Sequence, residues 1–146
     1  MCSGGSSGIG LATAELLAQK GAQVVIADLG PPPQTVLDKY KNITFIAVNV
    51  TSWDQQLQLF RETKAKHGEI NIVFANAGIP EGEMALEDRC DPTTGEPIEP
   101  KWSTLEVNLK GLLITIKLAL HYMRAQSTGG SIVMTGSRAS RWSCLE

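Results

Sequence analysis

The run Ser3-Gly4-Gly5-Ser6-Ser7-Gly8-Ile9-Gly10 stands behind only Met1 and Cys2. Residues without a Cβ let the backbone bend tightly and enter the φ > 0 region, so a glycine run of this kind turns a buried strand into a helix. It demands a strand before it and a helix after it. The helix is legible, because Ile9, Ala12, Leu16 and Leu17 recur at helical spacing and Gly21 then stops the pattern. Of the strand, Met1 and Cys2 can supply no more than the last residues.

Downstream the rhythm of strand and helix continues. QVVIAD (23–28) is a short β-branched run suited to burial on both faces, and ITFIAVNV (43–50) and INIVFANAG (70–78) share that character. SIVMTG (131–136) supplies a further strand. Ser52-Trp53-Asp54-Gln55 has the pattern of a capping box, opening a helix with Trp53, Leu57 and Phe60 on one stripe. A long helix is expected over about 100–126, with Leu105, Leu109, Leu112, Ile116 and Met123 inward and Glu106, Lys110, Lys117 and Arg124 outward. Pro31-Pro32-Pro33 and the stretch 79–100 are loops. Strands alternating with helices predict an α/β fold, a doubly wound parallel sheet with helices on both faces.

The 146 residues, 42% hydrophobic and 19% charged, suit one globular domain. A net charge of -2 gives no reason to expect nucleic acid. Cys2, Cys90 and Cys144 lack the spacing of a metal site and are expected as reduced thiols, with no metal bound. No apolar run reaches membrane-spanning length, and Met1-Cys2-Ser3 opens neither a signal peptide nor a myristoylation site, so a cytoplasmic protein is expected.

Gly4, Gly8 and Gly10 let the backbone approach a ligand, while the first N–H groups of the following helix point at an anion such as a pyrophosphate. The strict G-x-G-x-x-G pattern fails at Thr13, and Leu11-Ala12 stands where a nucleoside-triphosphatase loop needs Lys and Ser or Thr. Asp28 ends the next strand 18 residues beyond Gly10, near where a carboxylate accepts hydrogen bonds from an adenosine ribose and repels a 2'-phosphate. His67, at a helix end, and His121, on the long helix, are expected in structural roles, the former suiting the helix dipole.

These features, with ANAG (75–78), VNLKG (107–111) and GGSIVMTGS (129–137) in order, resemble the short-chain dehydrogenase/reductase family. NVTSWDQQLQLF (49–60), the acidic loop and KLALHYM (117–123) look most like its 15-hydroxyprostaglandin dehydrogenase type. The resemblance implies a Rossmann-like fold and makes residues 1–146 a single, partial NAD(P)-binding domain, lacking its first strand and C-terminal part. It implies that Ser3, Gly4, Ser6, Gly8, Ile9, Gly10, Asp28, Asn49, Val50, Asn76, Ala77 and Gly78 bind the cofactor, with Asp28 favouring NAD over NADP. Asn49 stands where the family often has an adenine-binding aspartate; its oxygen can still accept. Asn108 is implied to hold a proton-relay water and Ser137 to orient an alcohol or ketone substrate. By helical wheel Asn108 borders the apolar stripe and should be partly buried. The complete relative is implied to be a homo-oligomer.

The family's general base is the tyrosine of a Tyr-x-x-x-Lys motif about a dozen residues after the serine. Here Tyr40 is followed at the fourth place by Thr44 and Tyr122 by Gln126, and nine residues follow Ser137. The expectation is therefore a piece of an oxidoreductase that moves hydride between NAD and a secondary alcohol or ketone, inactive as it stands. The rival is a non-catalytic nucleotide-binding or interaction module. An absent first strand would leave its two neighbours with unpaired edges, each buried orphan group costing about 1–3 kcal/mol, and would favour self-association.

Overall fold

The computed structural model describes residues 1–80 and 87–136. Its strands β1 (Cys2–Ser3), β2 (Val24–Asp28), β3 (Ile43–Ala47), β4 (Ile72–Ala75) and β5 (Ser131–Met134) form one sheet in the order β3-β2-β1-β4-β5, every pair parallel. Helix α1 (Gly8–Gln19) joins β1 to β2, α2 (Gln34–Lys39) joins β2 to β3, and α3 (Trp53–His67) joins β3 to β4. Between β4 and β5 the last helical rod runs as α4 (Ser103–Leu105), a π-helical turn Glu106–Gly111 and α5 (Leu112–Arg124), with right-handed helical dihedrals across both junctions.

Residues of β2 show why both faces are covered. Val24 and Ile26 point to one side and pack with Ala14, Ala18, Val36 and Tyr40 of α1 and its neighbours. Val25 and Ala27 point to the other and pack with Leu59 of α3. On that second face Phe60, fully buried, meets Val73, Leu118, Ala119 and Met123. Burying a side chain of that size contributes about 1.5–3 kcal/mol. The doubly wound α/β fold is therefore the observed one, and the chain reverses its winding between β1 and β4.

Several local expectations are corrected. The first strand is not wholly lacking: Cys2 and Ser3 pair with Ile26 and Ala27 on one side and with Phe74 and Ala75 on the other. The Met1 carbonyl also accepts from the Phe74 N–H at 2.9 Å, so the sheet is closed where its strands end. Helix α1 buries Gly10, Ala14 and Ala18 rather than the expected stripe, leaving Ile9 65% and Leu16 55% exposed. Small residues four apart let the helix lie close on the sheet, which an apolar count overlooks. Helix α3 buries Gln56, Leu59, Phe60 and Thr63, whereas Trp53 is 42% exposed.

The capping box is half made, since Ser52 Oγ accepts from the Gln55 N–H at 3.4 Å but Gln55 Oε1 reaches past Ser52 to the Asn49 N–H at 2.7 Å. The edge strands β3 and β5 are more exposed than β2, because each has a strand on one side only among the described residues. In the last rod Leu105 and Leu109 are each 51% exposed, and Gly111, Thr115, Leu118, Ala119 and Met123 face inward. A π turn advances the chain by about one extra residue, so a wheel of uniform period misplaces the residues ahead of it.

Candidate functional site at the carboxyl ends of β1 and β4

In open α/β sheets ligands bind beyond the carboxyl ends of the strands, where the winding reverses. Here that point is the gap between β1 and β4, and the glycine run and the Asn76-Ala77-Gly78 turn meet across it. Ser3 is buried, and its Oγ accepts from the N–H groups of Asn76 at 3.1 Å and Ala77 at 3.2 Å. Asn76 Nδ2 donates to the Gly4 carbonyl at 3.1 Å, and its Oδ1 accepts from Thr135 Oγ1 at 2.8 Å. One side chain thus joins the ends of three strands. Gly4 has φ +64°, and a Cβ there would come within 2.7 Å of Ala77 Cα. A Cβ on Gly10 would overlap the Gly4 carbonyl oxygen.

Gly8 differs from these two. At φ +51° it needs glycine, yet a Cβ there would meet nothing within 4 Å. It opens α1 beside Ser7, whose side chain caps nothing, and the first turn holds no acidic residue. The exposed Ile9 follows it. This is the composition of an anion site at a helix N-terminus.

Asp28, at the end of β2, is fixed by the same loop. Its Oδ2 accepts from the Ser6 N–H at 3.0 Å and its Oδ1 from the Leu29 N–H at 2.8 Å, while Ser6 Oγ donates to the Gly30 carbonyl at 2.6 Å. An ionised carboxylate has about four acceptor directions; two are engaged. The anchored glycine loop, the open space at Gly8 and this oriented carboxylate fit the pyrophosphate and ribose of a dinucleotide.

Asn49 and Val50 lie beyond β3, next to β2. Asn49 Oδ1 accepts from Thr51 N–H at 3.0 Å and from Thr51 Oγ1 at 2.9 Å, an Asx turn that occupies both directions of that oxygen. The oxygen expected to meet adenine is therefore engaged within its own turn. Val50 is buried.

Asn108 is exposed rather than partly buried, because the π turn carries it outward. Its amide is nonetheless satisfied: Oδ1 accepts from the Ile79 N–H at 2.8 Å and Nδ2 donates to the Ile79 carbonyl at 2.9 Å. It holds the chain immediately after Gly78. Ser137, the expected substrate-orienting residue, lies outside the described residues.

Three polar residues of this region were invisible to sequence reasoning: Gln56, Thr115 and Thr135. Each looks like an ordinary helix or strand-end residue until its partner, some 59 positions away for both threonines, is known. Cys2 lies under the glycine loop with its Sγ 3.6 Å from the Gly10 carbonyl. Burial pushes its thiol up to about 11, so it is a neutral packing group at physiological pH. Cys2 and Cys90 are both free. Among the described residues no helix is long and apolar enough to cross a membrane.

The family described as short chain dehydrogenase matches residues 1–144. A short-chain dehydrogenase/reductase of Acremonium egyptiacum is 47% identical over 139 residues, covering 93% of this chain and 46% of its own length. A (+)-borneol dehydrogenase of Salvia officinalis is 37% identical over 136 residues, 92% of this chain and 50% of its own. Among solved structures, an NADH-dependent reductase complexed with NAD superposes with a TM-score of 0.77 at 26% identity, over 95% of this chain and 59% of that one. The chain spans about half the length of the curated relatives it matches.

Proposed function

The chain belongs to the short-chain dehydrogenase family, and from that premise we propose that it is the dinucleotide-holding part of an NAD-dependent oxidoreductase acting between a secondary alcohol and its ketone. The observation that carries this reading is the Asp28 carboxylate fixed against Ser6 beside the open start of α1. The N–H groups of Gly8, Ile9 and Gly10 would hold the pyrophosphate. Asp28 would accept from the ribose hydroxyls and oppose a 2'-phosphate. Ile9 would offer apolar contact, and Asn76, Ala77 and Gly78 would form the opposite wall. Asn49 would present its Nδ2 donor, rather than its oxygen, to the adenine side.

A bound nicotinamide supplies hydride chemistry to such a site. Asn108 would keep the wall at Ile79 in place and position a proton-relay water, and Ser137 would orient the reacting oxygen. The whole protein would be a homo-oligomer, with the exposed Leu105, Leu109 and Leu113 on one outer face as a candidate contact.

Calorimetric titration of the chain with NAD and with NADP tests this reading. NAD is expected to bind and NADP to bind at least tenfold more weakly, a gap of about 1.4 kcal/mol that Asp28→Ser narrows. Equal binding of both by the unaltered chain would contradict the role of Asp28.

Neither Tyr40 nor Tyr122 has a lysine four places on, so neither matches the Tyr-x-x-x-Lys pattern of the family's base. This chain by itself is expected to bind NAD without changing absorbance at 340 nm when secondary alcohols are added.

A further inference from the structure

A buried polar cluster lies behind the site, where the turn after β3 meets the π-helical turn. Gln56 is 1% exposed, and every hydrogen-bonding group of its carboxamide is used. Nε2 donates to the Val50 carbonyl and, at 3.0 Å, to the Gly111 carbonyl. Its Oε1 lies 2.7 Å from Thr115 Oγ1, which is itself buried and 2.9 Å from the Gly111 carbonyl. Both carbonyls and Gln56 Oε1 each receive a proton when the two amide protons go to the carbonyls and the Thr115 proton goes to Gln56 Oε1. At the same contact a Cβ on Gly111 would stand 2.9 Å from Val50 Cγ2, so the two segments touch where Gly111 leaves room.

A carboxamide buried this deeply costs more than an apolar side chain unless it is fully paired. What this one joins is specific: the carbonyl of Val50, in the turn at the adenine side, and the carbonyl of Gly111, which closes the π turn bearing Asn108. In that turn Gly111 is the one buried residue, Val107 is half-buried and Leu109 is exposed, so apolar burial holds it only weakly. We propose that Gln56 is a positioning residue: by bridging Val50 and Gly111 it fixes the π turn, and so places the Asn108 amide that clamps Ile79, and it transmits occupancy of the adenine side to that turn. The transmission rests on the dinucleotide reading above; the fixing of the turn does not.

The test is amide hydrogen exchange, followed by mass spectrometry on peptides covering 106–111 and, as control, Val24–Asp28, in the unaltered chain, Gln56→Met, Thr115→Val and Thr115→Ser. Without cofactor, Gln56→Met and Thr115→Val are expected to speed exchange over 106–111 by roughly tenfold while leaving the β2 peptide unchanged. Thr115→Ser, which keeps the hydroxyl, should stay like the unaltered chain. Added NAD should slow exchange over 106–111 in the unaltered chain and in Thr115→Ser but not in Gln56→Met, with NAD binding followed separately by calorimetry. Unchanged exchange in Gln56→Met, or an equal rise in both peptides, would overturn the positioning role. NAD that binds without slowing the turn would overturn the coupling. NAD that fails to bind would count against the dinucleotide reading alone, and the cofactor-free arm would still decide whether Gln56 fixes the turn.

Discussion

The junction of β1 and β4 and the corner after β3 both border the candidate site, but they are held in opposite ways. At the junction, Ser3 and Gly4 bond to Asn76 and Ala77 more than 70 positions away. At the corner, Asn49 bonds to Thr51 and Gln55, two and six positions away. The junction exists only when the sheet has assembled, whereas the bonds of Asn49 at the corner lie within its own turn. The glycines of one motif divide along the same line. Gly4 and Gly10 are glycine because protein atoms fill the space a Cβ would take, and Gly8 is glycine beside space that protein leaves open. A glycine motif read as a ligand cradle is therefore partly a packing motif.

Substitutions can break this contrast, starting with the largest effect. Gly10→Ala should destabilise the chain by roughly 3 kcal/mol or more, because the added methyl overlaps backbone that cannot move aside. Urea unfolding measures it. A loss near that of an ordinary exposed helix site would show that the junction is loose. Ser3→Ala leaves two N–H groups without their acceptor and is expected to cost about 2 kcal/mol, with Ser3→Thr close to the original.

Gly8→Ala should cost only about 1 kcal/mol, the strain of positive φ without a clash, yet weaken NAD binding far more than its stability loss accounts for. Asn49→Ala, confined to an exposed turn, should cost no more than about 1 kcal/mol. An effect as large as that of Ser3→Ala would erase the distinction between junction and corner.

The smallest effect is one of pH. His67 has its Nε2 shielded without a partner among the described residues, and burial first, then the charge of Lys66, holds its pKa below the usual value. The shift favours the neutral, polar form of the side chain at that helix end over the cationic one. A folded pKa below the unfolded one means stability that is present above about pH 6.5 and lost as the pH falls through it. The urea midpoint should drop modestly between about pH 7.5 and pH 5.5, and His67→Gln should remove that drop.

Strand and helix alternation, and the places of Asp28, Asn76 and Asn108, are legible because they follow from local patterns: β-branched runs, a glycine turn and short motifs in order. The buried faces of α1, α3 and the last rod are less so. Gly10, Ala14 and Ala18 are buried for being small, and Gln56 and Thr115 for being paired with each other, and neither property registers as hydrophobic periodicity. The exposure of Asn108 follows from a π turn that no residue type announces. Helix α2 is missing from the sequence reading because its six residues, opened by Pro33, are too few for a period to register.

A dinucleotide site at the carboxyl ends of β1 and β4 is tested most directly by a thermal melt. Intrinsic tryptophan fluorescence, which Trp53 and Trp102 contribute to, would be followed with NAD, with NADP and with neither. One cooperative transition is expected, which NAD raises by an amount growing with its concentration and NADP leaves nearly in place. A cooperative transition that saturating NAD does not move would contradict that expectation.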